Sequence, residues 1–141
     1  GSCACRKVKY EVKGDPIECY ICHCTQCRKS TGSSFHTIGL FKEENFRITH
    51  GAESLRAFDD THTDSGRTLQ RRFCGSCGSQ MFGKTPAFGP ILCVMIGTID
   101  QEHDWSARHE IFAEQRRKWV TAVEGARQWP ALWSFKDRGK L

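Results

Sequence analysis

The sequence predicts a compact, mainly β protein of one domain with irregular, metal-bound loops. Three observations lead there. Short runs of branched and aromatic residues alternate with turn residues, helical periodicity is scarce, and the cysteines come in tight pairs. A chain of 141 residues suits one domain and can bury roughly two-thirds of the surface its unfolded form exposes.

Taken in chain order, Val8–Val12 alternates apolar and charged residues, as a half-buried strand does. Thr25–Ser30 begins inside a cysteine cluster and reads as a helical turn that Gly32 stops. Phe35–Phe41, Asn45–Thr49 and Leu55–Phe58 are strand candidates separated by Lys-Glu-Glu and His-Gly turns. Thr68–Phe73 runs into a cysteine pair. Ile91–Ile96 is nearly all apolar between Pro90 and Gly97, which predicts a central buried strand. Glu110–Ala113 is a further strand candidate. Gln115–Ala126 holds helix formers, but Val120, Thr121 and Val123 weaken that reading. The tail from Trp129, with Trp133 and Phe135, is expected to pack back on the body.

The charge balance narrows the function classes. Net charge is +5, but the bases are scattered, with small knots at Arg71-Arg72 and Arg116-Arg117-Lys118. Such a mild excess argues only weakly for nucleic acid and suits a small acidic substrate equally well. No stretch approaches the ~20 apolar residues of a membrane-spanning helix. Nothing reads as a secretory signal either, so a reducing, cytoplasmic setting is expected.

Nine cysteines dominate the composition, and seven lie in CxC or CxxC clusters. An odd count cannot close a complete disulfide framework, and this spacing suits metal. Four thiolates around zinc sit roughly 3.8 Å apart, a separation that a CxxC turn achieves. Cys74-Gly75-Ser76-Cys77-Gly78 is such a turn, with Gly75 and Gly78 expected at positive φ so that amides point at sulfur. Cys3 and Cys5 supply the second pair, giving a closed structural zinc site.

A second cluster, Cys22-His23-Cys24-Thr25-Gln26-Cys27, can fill three corners of a tetrahedron. With water or a substrate sulfur at the fourth corner, it has the layout of a catalytic zinc. Cys19, three residues before Cys22, could instead close a four-thiolate site, and His23 is another possible fourth ligand. Cys93 sits in an apolar run as a small buried hydrophobe. His36, His50, His62, His103 and His109 form no ligand-spaced pair, although His36 is near enough to reach the second cluster.

These motifs together resemble the glutathione-dependent formaldehyde-activating enzyme family, which includes the centromere protein V domain. The matching pieces are Gly1-Ser2-Cys3-Ala4-Cys5, Cys22-His23-Cys24-Thr25-Gln26-Cys27-Arg28-Lys29-Ser30-Thr31-Gly32 and Phe73-Cys74-Gly75-Ser76-Cys77-Gly78-Ser79 with Met81-Phe82. Gly97-Thr98-Ile99-Asp100 and His109-Glu110-Ile111-Phe112 follow in order, so the resemblance covers about residues 1–120. It implies several short, coiled β-sheets around zinc, a β-tent, with residues 1–141 as one domain and 121–141 as a packed tail. It implies a structural zinc on Cys3, Cys5, Cys74 and Cys77. A second, open zinc would sit on Cys22, Cys24 and Cys27, with Cys19 not required. Glu114–Gly125 would be extended or irregular. Arg6 departs from the glycine common after the CxC pair, and nothing beyond Trp119 matches.

The expected function is that of a zinc-dependent carbon–sulfur lyase, or its reverse, acting on glutathione or a similar thiol conjugate. The open site would take the substrate sulfur as a thiolate, and that sulfur would attack an aldehyde carbon. Arg28, Lys29, Arg71 and Arg72 are candidate carboxylate receivers, and His36 a candidate base. A non-catalytic interaction module and a redox or zinc sensor using Cys19 are the alternatives. Tryptophans in the tail allow a homodimer.

Overall fold

Each predicted strand run folds as a strand, and three unpredicted ones join them. A computed structural model of the chain describes residues 1–63 and 66–133. In β1 (Lys9–Val12) the alternation holds, with Tyr10 buried between exposed Lys9 and Glu11. It pairs antiparallel with β4 (Phe46–His50) in a two-stranded sheet. The other eight strands share one sheet. They are β2 (Glu18–Cys22), β3 (His36–Lys42), β5 (Leu55–Asp60), β6 (Leu69–Cys74), β7 (Gln80–Lys84), β8 (Ile91–Met95), β9 (His109–Ile111) and β10 (Arg127–Gln128). Their order is β10-β9-β2-β3-β8-β7-β6-β5, antiparallel except that β9 runs parallel to both its neighbours. The protein is mainly β, as expected.

The period-two geometry of strands divides this sheet into two working faces. The register sets Tyr20 opposite Ile38, Ile38 opposite Met95 and Leu40 opposite Cys93. These side chains form one core cluster with Cys22, Cys24, Cys27, Ile111 and Trp133. Phe41, Leu92 and Val94 point the other way and pack with Val8, Tyr10, Met81, Cys3 and Cys74. The two-stranded sheet covers that second face, through Tyr10 stacked on Phe46 and Phe46 against Phe82.

Helix is scarce. The one α-helix among the described residues, α1 (Thr25–Thr31), ends at Gly32, whose φ of 64° suits glycine. Gln115–Ala126 is not helical: a short 3-10 turn over Ala113–Gln115 gives way to irregular chain. Three residues with β-branched side chains disfavour helix there, and the Val123 amide is taken instead by the Glu110 carboxylate at 2.6 Å. Trp133 is buried edge-on against Tyr20, and Trp129 is half-buried with its indole N–H donated to His109. Phe135, and the rest of the tail from 134, lie outside the described residues.

Candidate metal centres and cavity

The first cysteine group joins the N-terminus to the β6–β7 turn. The Sγ atoms of Cys3, Cys5, Cys74 and Cys77 all lie within 4.8 Å of one another. The Cys3–Cys5 and Cys5–Cys74 separations are 3.5 and 3.8 Å. Four thiols at this spacing fit a tetrahedral zinc. The Val8 amide donates to Cys3 Sγ at 3.3 Å, and the Ser79 hydroxyl lies 3.3 Å from Cys77 Sγ. Hydrogen bonds from Ser79, with Cys5 adding to them, pull the Cys77 thiol down to about 5.

The two glycines of the turn play different parts, contrary to expectation. Gly78 has φ 76° and donates to the Cys74 carbonyl. Gly75 has no positive φ; it is small because a Cβ there would meet Arg56 Cγ at 2.9 Å and the Ser54 carbonyl at 3.1 Å. At Arg6 the departure from glycine leaves the turn left-handed all the same, with φ 61° and the amide donated to the Cys3 carbonyl. A side chain with a Cβ carries the steric cost of that conformation.

The second group is Cys22 at the end of β2, Cys24 capping α1, and Cys27 in its first turn. Their Sγ atoms also lie within 4.8 Å of one another, and all three residues are buried. Cys24 Sγ accepts the Cys27 amide at 3.4 Å. Hydrogen bonds from the Cys22 and Cys27 thiols hold the Cys24 thiol down to about 2, while the same contact with Cys24 drives Cys22 well up. Among the described residues these three thiols form the whole group, one short of a tetrahedron.

Neither proposed fourth ligand reaches it. Cys19 and Cys22 are three apart on one strand, so they face opposite sides of the sheet. A rise of ~3.3 Å per residue also sets their Cα atoms about 10 Å apart, beyond disulfide reach. His23 turns away as well, its Nε2 2.6 Å from Glu110 Oε2 in a pair that is wholly buried.

The three thiols open on a cavity of about 100 Å³, walled by Ile38, Met95, Phe88, Phe112 and Leu132. Cys93 lines it too, so this residue faces the site rather than only filling core. Of the basic candidates only Arg71 lines the cavity, buried and paired with Asp60 at 2.8 Å. Arg28 is spent on the backbone carbonyls of His23 and Gln115, Arg72 bonds Gln70, and Lys29 is exposed. His36 sits opposite Cys22 in register but faces an adjoining groove with Ser30 and Gln80. Burial, helped by the charge of Arg71, pulls its imidazole down to about 4, which leaves it uncharged at neutral pH.

A family model described as glutathione-dependent formaldehyde-activating enzyme matches residues 1–115. The chain belongs to this family. Members provisionally named glutathione-dependent formaldehyde-activating enzymes include proteins of Aspergillus terreus, 30% identical over 82 residues, and Colletotrichum graminicola, 31% identical over 84. Each match covers 58% of this chain, and 40% and 41% of those proteins, so the match spans less than half the length of its curated relatives. A crystal structure of a Rhodobacter sphaeroides protein aligns with a TM-score of 0.59 at 20% identity, covering 74% of this chain and 90% of that one. That likeness is one of fold.

Sequence reasoning missed Glu110, Asp60 and Gln80 as site residues. Glu110 bonds a partner 87 residues away, Gln80 meets the cavity only through the fold, and for Asp60 only the eleven-residue separation from Arg71 across one hairpin could have hinted at the pairing.

Proposed function

We propose that this family member is a zinc-dependent enzyme that joins glutathione or a similar thiol to a small aldehyde and cleaves the same carbon–sulfur bond in reverse. Cys3, Cys5, Cys74 and Cys77 would hold a structural zinc, and Cys22, Cys24 and Cys27 a second one. The observation that carries this reading is the second group: three buried thiols at the edge of a small apolar cavity, with no fourth ligand among the described residues. Zinc held there supplies Lewis acidity that keeps a substrate sulfur as thiolate at neutral pH.

The chain's own residues do the rest. The Cys27 amide fixes Cys24, and the His23–Glu110 pair anchors the loop between Cys22 and Cys24. Phe88, Phe112 and Leu132 exclude water, and the narrow cavity admits the reacting end of the thiol while its peptide stays outside. Residues 1–141 would act as one domain. All nine cysteines are free thiols. No helix among the described residues is long and apolar enough to cross a membrane.

The test is elemental zinc per chain together with glutathione–formaldehyde exchange followed by NMR. Two zinc ions and accelerated exchange are expected, with exchange abolished in Cys27→Ser. Unchanged turnover in Cys27→Ser at saturating zinc would sink the proposal.

A further inference from the structure

The cavity beside Cys22, Cys24 and Cys27 is mostly apolar, with Gln26, Thr63, Thr85, Arg71 and Gln80 as its polar lining. Arg71 on β6 and Gln80 at the start of β7 both line it. Arg71 Nε and Nη2 donate to Asp60 Oδ2 at 3.0 and 2.8 Å, and Nη1 donates to the Ser30 hydroxyl at 3.3 Å. A guanidinium has five N–H groups, so one on Nη1 and one on Nη2 are left without an acceptor among the described residues. Gln80 Nε2 is buried and has no hydrogen-bond partner among them. Buried donors without acceptors are uncommon in folded proteins, and several beside one cavity mark a place where a ligand oxygen belongs.

Arg71 is also tied to the thiols. Ser30, which receives Arg71, donates its own hydroxyl to the Cys27 carbonyl at 3.0 Å. Arg71 is therefore set by two fixed partners, one acidic and one on the helix that carries Cys27. A charged pair in an apolar wall is costly to bury, and its unused N–H groups are oriented before any ligand arrives.

We infer that Arg71 and Gln80 form an oxygen-binding corner that holds the aldehyde oxygen while the thiol sulfur bonds to the aldehyde carbon. This rests on the reaction proposed above. The thiol loses its S–H proton to solvent, and a sulfur lone pair forms the new S–C bond. The C=O π pair moves onto oxygen, where negative charge develops facing Arg71 and Gln80, and that oxygen then takes a proton from solvent. Thiol and aldehyde give a hydroxyalkyl thioether with no change of oxidation state, and the reverse step breaks the same bond. Donors placed where charge develops accelerate the step without tightening binding of the thiol alone.

Gln80→Leu is the first variant, measured for glutathione–formaldehyde exchange by NMR and for glutathione affinity by calorimetry. The expected result is a kcat lower by about 100-fold, with glutathione Kd within about twofold of wild type. Arg71→Lys keeps the charge but loses the planar fork and is expected to fall similarly. Arg71→Met would strand Asp60, so the paired variant Arg71→Met/Asp60→Leu keeps the fold in play, checked by zinc content and thermal melting. An unchanged kcat in Gln80→Leu, or a loss lying wholly in glutathione Kd, overturns the inference. Formate, a one-carbon oxyanion, gives a readout independent of turnover: tighter binding to wild type than to Gln80→Leu supports the corner, and equal binding overturns it. Should wild type bind formate in this way yet leave exchange unaccelerated, the assigned reaction fails while the oxygen site stands.

Discussion

Glu110 holds His23 across 87 residues of sequence by a 2.6 Å hydrogen bond in which neither side chain is open to solvent. The other carboxylate oxygen accepts the Val123 amide at 2.6 Å and the Gln128 side chain at 3.1 Å. One buried side chain thus links the loop between Cys22 and Cys24 to the irregular chain that follows β9.

Replacing Glu110 by Ala leaves three donors without their acceptor, of which the one on His23 is fully buried. Stability is expected to fall by about 3 kcal/mol, measured by urea unfolding at neutral pH. Burial alone would raise the Glu110 carboxyl, but hydrogen bonds from Val123, His23 and Gln128 outweigh it and lower the carboxyl below its ordinary 4.5. A lowered folded-state value gives stability that is full above 4.5 and fades as pH falls through the folded value. The stability gap between wild type and Glu110→Gln should therefore narrow below pH 4.5. A gap independent of pH would show that the ionised form contributes nothing.

The two thiol groups should respond differently to loss of one ligand. Cys74→Ala is expected to remove one zinc and to lower the melting temperature sharply, because the four-thiol group joins the N-terminus to the sheet. Cys27→Ser should remove one zinc while most of the melting temperature survives. Elemental analysis and calorimetric melting of the two variants decide this.

Cys19→Ser should leave zinc content unchanged, since Cys19 faces away from the second group. The cost is expected to stay near about 1 kcal/mol, for one buried thiol exchanged for a hydroxyl. Loss of a zinc in this variant would contradict the strand geometry.

Arg6→Gly should stabilise the protein by about 1 kcal/mol, because glycine occupies left-handed backbone without a Cβ clash. Arg6 is exposed and makes no side-chain hydrogen bond among the described residues, so little is lost with it. Chemical unfolding of the two proteins side by side checks the sign.

Much of this architecture is legible in the amino-acid sequence. Cysteine spacing alone marks both thiol groups, because CxC and CxxC set sulfur separations locally. Strands with alternation or clean apolar runs, such as β1 and β8, are legible for the same reason. Three strands are not. In β2 every residue is buried, so there is no alternation to read, and its Cys19 and Cys22 look like ligands rather than strand. In β7 a run of five residues with Gly83 inside it follows directly on the Cys77 turn, and its strand character comes from pairing with β6 and β8. The two exposed residues of β10 carry no pattern at all and are strand only through their pairing with β9. Gly75 is misread from sequence because its need for smallness arises from Ser54 and Arg56, which only the fold brings near. The Arg71–Asp60 pair and the role of Glu110 are hidden likewise.

The two cysteine groups also differ in when they can come together during synthesis. Cys22, Cys24 and Cys27 lie within six residues, so their gathering closes almost no loop and can happen while most of the chain is still being made. Cys5 meets Cys74 across 69 positions, and the group waits for Cys77 to emerge before it is complete. Closing so long a loop carries an entropic cost that a local turn avoids. The four-thiol group is thus a late clasp, fastened after the β1–β6 strands exist to be held.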